Sequence, residues 1–198
     1  MLVLRKGCKV PFPEKISEEY MLGNNQIVAN IAANKIQAVM EDFIRIHNEP
    51  IFFILELPSR QDDEEEVRPG VVEKLHKDIY YIDGCTNEEA LTILLRIGDL
   101  MINDGLCSFG FGCHESTDEI VFGKYNVTTI FSRDIKKYIH FMADHDIPIT
   151  DHIITAWDTF SQEYPGSSER VYTDGKDVYS IPEMLADWGI YKAEQREE

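Results

Sequence analysis

Residues 104–132, DGLCSFGFGCHESTDEIVFGKYNVTTIFS, restrict the fold more than any other stretch of the chain. Asp104-Gly105 is a helix stop. Two strand-like runs follow, residues 106–113 and 119–131, joined by the polar tip HESTDE. Aromatic and β-branched residues dominate both runs, as a pleated, half-buried surface prefers. SFGFG has neither the strand–GxGxxG–helix context nor the GxxxxGK[ST] context of a phosphate loop. Gly110 and Gly112 therefore read as points of twist, bulge or close packing.

Helical patterns flank this hairpin. Residues 24–47 read as a helix capped by Asn24 or Asn25, with Val28, Ala32, Ile36, Val39 and Phe43 recurring at three and four. Asn48-Glu49-Pro50 ends it. The continuous apolar run IFFILEL, residues 51–57, reads as a buried central strand. Residues 78–83 are another strand. Thr86-Asn-Glu-Glu89 is a capping box that opens a helix over residues 87–103. Beyond the hairpin, residues 133–145 read as a helix, and Thr150 caps a shorter one. Residues 170–180 alternate around Asp174-Gly175 as a second hairpin, and Ser180 with Glu183 forms a second capping box. The tail, residues 192–198, is expected to fray. These readings converge on an α+β fold in a single domain, 1–198. Its antiparallel sheet is centred on the 106–131 hairpin, with helices packed on one face and an acidic loop at residues 61–70.

The net charge of −17 is spread over the chain, −7 in residues 1–100 and −10 in residues 101–198. A field of that sign repels nucleic acid and anionic membrane surfaces and draws in basic proteins. The only basic cluster, Arg133, Lys136 and Lys137, is too small to overturn it, so nucleic acid is excluded as a partner. No apolar run approaches the roughly 18 residues a membrane span needs, so no membrane partner is expected. The N-terminus has no signal-peptide core. The four cysteines, Cys8, Cys85, Cys107 and Cys113, form no CxxC pair, so the expected location is cytoplasmic with reduced thiols.

Several clusters are candidates for chemistry. Cys107, Cys113, His114 and Glu115 bring zinc-ligand types together, but neighbouring strand residues such as Cys113 and His114 point to opposite faces. They stay a runner-up pair, and no metal or cofactor is expected. His140 and Asp144 are one helical turn apart, which a surface contact explains as well as a site. Asp83 and Asp104 form a conceivable acid–base pair, although each also has a local task beside a glycine. No GxSxG elbow exists, so an enzyme has no motif to rest on. The acidic surface then points to a basic protein partner, met through Asp62, Asp63, Glu64, Glu65 and Glu66 and through the tip acids Glu115, Asp118 and Glu119. The expected function is an acidic protein-binding module of the immunity or inhibitor kind, neutralising a basic partner such as a toxin nuclease. The alternatives are a small-molecule or metal-dependent enzyme with its site near residues 104–119, and a regulatory subunit.

Overall fold

The computed structural model describes residues 2–59, 66–68, 71–72 and 76–197. The chain opens with β1 (Cys8–Lys9) and a 3-10 turn at Pro13–Lys15, then β2 (Tyr20–Leu22), β3 (Gln26–Asn30) and α1 (Ala33–Ile46). Next come β4 (Ile51–Pro58), β5 (Glu66–Arg68), β6 (Val71–Val72), β7 (His76–Cys85) and α2 (Asn87–Asn103). The central hairpin is β8 (Ser108–Cys113) with β9 (Asp118–Phe122), followed by β10 (Val127–Phe131) and α3 (Lys137–Asp144). β11 (Ser167–Ser168), α4 (Ile181–Met184) and β12 (Tyr191–Glu197) complete the order.

Among the described residues, eight strands form one sheet in the order β12-β7-β4-β8-β9-β10-β3-β2, every neighbouring pair antiparallel. With helices α1 to α4 beside it, the fold is α+β, and the 108–131 strands sit at the middle of the sheet. IFFILEL is a buried strand, and its alternation decides the two faces. Ile51, Phe53 and Leu55 are fully buried in the main core. There they meet Ile36, Met40 and Phe43 of α1, Ile93, Leu94 and Ile97 of α2, Tyr138 and Met142 of α3, and Ile181 of α4. Phe52, Ile54 and Glu56 point the other way, and none of them belongs to that core cluster.

The Thr86–Glu89 capping box is present, with Glu89 N–H donating to the Thr86 hydroxyl and Thr86 N–H to the Glu89 carboxylate. Asp104 ends α2 and is fully buried. Its carboxylate accepts from the amides of Leu106, Cys107 and Val171, which turns the chain into β8.

The fold departs from the sequence reading in six places. The helix expected from residue 24 starts at Ala33, and residues 26–30 are β3 instead. Ile27, Ala29 and Ile31 alternate into the core while β3 pairs with β10, about a hundred residues away. That pairing overrides the helical spacing. The run at 119–131 is two strands, broken at residues 123–126 by a turn in which Tyr125 and Asn126 have positive φ. Asn tolerates that conformation. Its buried amide holds the N-terminal segment, accepting from Arg5 N–H and donating to the carbonyls of Val3 and Ile31. After Thr150 the helix shrinks to a 3-10 turn at Ala156–Thr159, and Ser180 caps nothing with its side chain. The expected 170–180 hairpin reduces to a turn closed by the single bridge Thr173 to Lys176. The tail does not fray over residues 192–197, because β12 pairs with β7 as an edge strand.

Candidate functional site

β9 carries two of the expected partner-binding acids side by side, and the pleat separates them. Asp118 faces the helices and is 1% exposed. Its carboxylate accepts from the Lys137 ammonium and lies 2.8 Å from His47 Nε2, while the Tyr138 hydroxyl is 3.2 Å from the same nitrogen. His47 Nδ1 sits 2.6 Å from the Phe43 carbonyl, which can only accept, so that nitrogen carries a proton. Burial alone would raise the Asp118 pKa. Hydrogen bonds from Lys137, Ser132 and His47 outweigh it and hold the group down to about 2. Asp118 is thus an internal tie between the end of α1, β9 and the start of α3. It is not a surface acid, because Lys137 and His47, from two other elements, close over it.

Glu119, one residue on, points to the opposite face and is half-buried there. It makes no hydrogen bond or ion pair among the described residues. Burial raises its pKa, and the Glu56 carboxylate raises it further, with Arg196 acting the other way. Glu115 is exposed at the hairpin tip. Asp62 to Glu65 lie outside the described residues, and Glu66 is described only as backbone in β5.

The open face holds a pocket of about 590 Å³ that spans β12, β7, β4, β8 and β9. Glycine makes room for it. A Cβ on Gly112 would lie 2.1 Å from the Phe52 ring, so only glycine lets that ring lie across β8. From there a row of rings crosses the sheet. His114 stacks on Phe52 with centroids 4.6 Å apart, Phe52 lies 5.9 Å from Tyr81, and Tyr81 lies 6.5 Å from Tyr191. Asp83 braces both ends of the row. His114 Nε2 lies 3.1 Å from one carboxylate oxygen, and the Tyr191 hydroxyl donates to the other at 2.5 Å. The Tyr191 bond leads in lowering the Asp83 pKa, with His114 adding to it against partial desolvation. A second hollow, about 400 Å³, adjoins on the same face between Glu56, Ser108, Val121, Thr129 and Trp157.

The chemistry open to this site is limited. Asp83 with His114 is a carboxylate–imidazole pair of the sort that serves a general base. Cys113 lines the pocket, but its thiol is taken up in donating to the Asn48 carbonyl. Cys113 and His114 occupy opposite faces, as strand alternation requires, and cannot share an ion. Among the described residues no group of three or more His, Cys, Asp or Glu side chains is placed to hold a metal. The paired acids envisaged at Asp83 and Asp104 are apart in role, since Asp104 binds backbone amides and Asp83 binds His114 and Tyr191. His140 and Asp144 are both exposed and make no mutual hydrogen bond, while His145 lies 3.5 Å from Asp42. All four cysteines are free thiols and buried, and burial raises Cys107 to about 12. Among the described residues no helix is long and apolar enough to cross a membrane.

Sequence reasoning missed the ring row and its brace. The signals for it were the outward-facing alternation of Phe52, Tyr81 and Tyr191 and the glycine at 112, which become legible only once the strands are paired. Comparison with family models, with curated proteins and with solved structures found no match for this chain.

Proposed function

We propose that this protein is an acidic binding module that captures a basic protein partner on the open face of its sheet. The class of role is that of an inhibitor or immunity protein masking a cationic toxin such as a nuclease. One observation carries the reading: Glu56 and Glu119 stand on the open face without an ion-pair partner among the described residues, close enough for the Glu56 charge to act on Glu119, and Arg196, which acts on Glu119 the other way, is itself paired with Glu194. Two carboxylates left to repel one another gain most from a cation supplied from outside. The net charge of −17 works in the same direction at long range, by speeding encounter with a basic surface.

The test is affinity capture from native cell extract at low and moderate salt, with the bound protein identified by mass spectrometry. Wild type is run beside a Glu56→Lys/Glu119→Lys double variant. The expected result is one basic protein, weakened by salt and lost with the charge reversal. Capture that is indifferent to both salt and reversal overturns the reading, as does an empty capture in both buffers.

A second reading rests on the Asp83–His114 contact inside the pocket, which suits a general base in an enzyme. His114→Ala separates the two readings. An enzyme loses turnover on a responsive substrate, whereas capture of a basic protein through Glu56 and Glu119 persists.

A further inference from the structure

Resting on the binding-module reading, we propose that the ring-lined pocket is the seat of an arginine side chain presented by the basic partner. Tyr81 and Tyr191 offer aromatic surface on two neighbouring strands, Tyr191 47% exposed and Tyr81 half-buried, and the row continues into Phe52, which is 6% exposed. The electron-rich faces of such rings attract cations, arginine more often than lysine, because a planar guanidinium also stacks. Glu119 forms the pocket's opposite wall. Burial raises the Tyr81 pKa, and the Glu119 charge is near enough to raise it further. Glu119 supplies a carboxylate that accepts a guanidinium fork in two parallel hydrogen bonds.

The other charges around the pocket leave that role to Glu119. Asp83 is already bonded on both oxygens, to His114 and Tyr191, and so holds the walls. Asp118 is committed to Lys137 and His47 beneath the sheet. Arg196, the cation that acts on Glu119 from β12, is itself paired with Glu194. Among the described residues no lysine or arginine lines the cavity. At about 590 Å³ it is larger than one side chain, which suits an arginine delivered with the backbone of its loop.

The probe is N-acetyl-arginine amide titrated into the isotope-labelled full chain, with the citrulline analogue as the uncharged isostere and amide and aromatic shifts as readout. The expected result is saturable shifts centred on Phe52, Tyr81, Glu119 and Tyr191, with citrulline at least about tenfold weaker, the factor that about 1.4 kcal/mol of lost charge interaction gives. Glu119→Gln and Tyr81→Leu each weaken the arginine probe several-fold while leaving the remaining spectrum in place, which shows that they fold. No saturable shift at these four residues overturns the proposal, as does equal binding of citrulline. A Tyr81→Leu chain that still captures the basic partner at wild-type strength also overturns it, yet leaves the binding-module reading standing. Conversely, arginine binding in a chain that captures no basic protein supports the pocket while removing that reading.

Discussion

Asp118 and Glu119 are neighbours on one strand and have opposite fates. Asp118 points under the helices, where Lys137 and His47 close over it, and its pKa is held down to about 2. Glu119 points to the uncovered face, where burial and Glu56 push its pKa up against the pull of Arg196, and it makes no ion pair among the described residues. Both belong to the same acidic hairpin tip and differ only in which side of the pleat they occupy. The contrast shows that a carboxylate's use is set by what the other elements bring to it. One is consumed in holding the fold together, and the other is left available. Cys113 and His114 repeat the lesson at the end of β8, the thiol bonded into the core and the imidazole stacked in the open pocket.

The largest break in this contrast is Asp118→Asn. Removing one member of a buried ion pair strands the other, which costs about 3–5 kcal/mol in an enclosed site. Lys137 is 36% exposed and regains some water, so the expected loss is at the lower end, about 3 kcal/mol. Urea denaturation reads it directly. A change under about 0.5 kcal/mol, the range of ordinary surface substitutions, refutes the role given to Asp118.

Acid titration sharpens the same point. The folded-state pKa of Asp118 is about 2, below the roughly 3.9 of an unfolded aspartate, so folding favours the ionised form. That stability is fully present above about pH 4 and is lost as pH falls from about 4 toward 2. The gap between the two values is worth about 2–3 kcal/mol, at roughly 1.36 kcal/mol per pH unit. Other carboxylates titrate there too, so the quantity to measure is the stability of wild type minus that of Asp118→Asn from pH 6 to pH 2. The difference narrows below about pH 4. A difference flat with pH contradicts the assignment.

How much of this was legible beforehand follows from how local each signal is. The Thr86–Glu89 cap and the buried run 51–57 are carried by contiguous residues, and both appear as the sequence implies. The hairpin was legible too, because alternation and turn chemistry lie within about 30 residues, the reach of such local signals. β3 was not: Val28 and Ala32 fit a helical stripe, and only pairing with β10 forces Ile27 and Ala29 into a strand. β12 was hidden for a different reason. All seven of its residues are exposed, so it carries no hydrophobic pattern and exists through its ladder to β7. For the site, Glu119 could be named as an available acid from its position at the tip. Asp118, equally a tip acid by sequence, could not be told apart from it, because Lys137 and His47 arrive from 19 and 71 residues away.

On the open face, Gly112→Ala is the next-largest change. The new Cβ would fall 2.1 Å from the Phe52 ring, which must rotate away or drag its strand. Overpacking of this kind costs about 1–3 kcal/mol. Since Phe52 starts the ring row, its displacement also disturbs the stacking on His114. The readout is thermal stability together with the His114 ring resonances. A variant as stable as wild type with those resonances unmoved shows that Phe52 does not need the space.

The smallest stability effect belongs to Glu119→Gln, and its smallness is the informative outcome. Asp118 and Glu119 sit one residue apart, so a position effect along β9 would make the two amide substitutions alike. If side alone decides, they diverge. The glutamine variant removes a charge that has no ion-pair partner among the described residues and that repels Glu56, so folding stability stays within about ±0.5 kcal/mol of wild type. A slight gain is expected, because the raised pKa of Glu119 means the folded protein holds its ionised form at a cost. That gain is present above the folded-state pKa, where wild type carries the charge. It disappears at lower pH, where Glu119 is protonated in folded and unfolded chains alike. Denaturation near pH 7 and again near pH 3, on either side of the roughly 4.3 of an unfolded glutamate, measures both limits. A loss as large as that of Asp118→Asn would mean that Glu119 already has a structural partner, and the uncovered face would no longer hold an idle carboxylate.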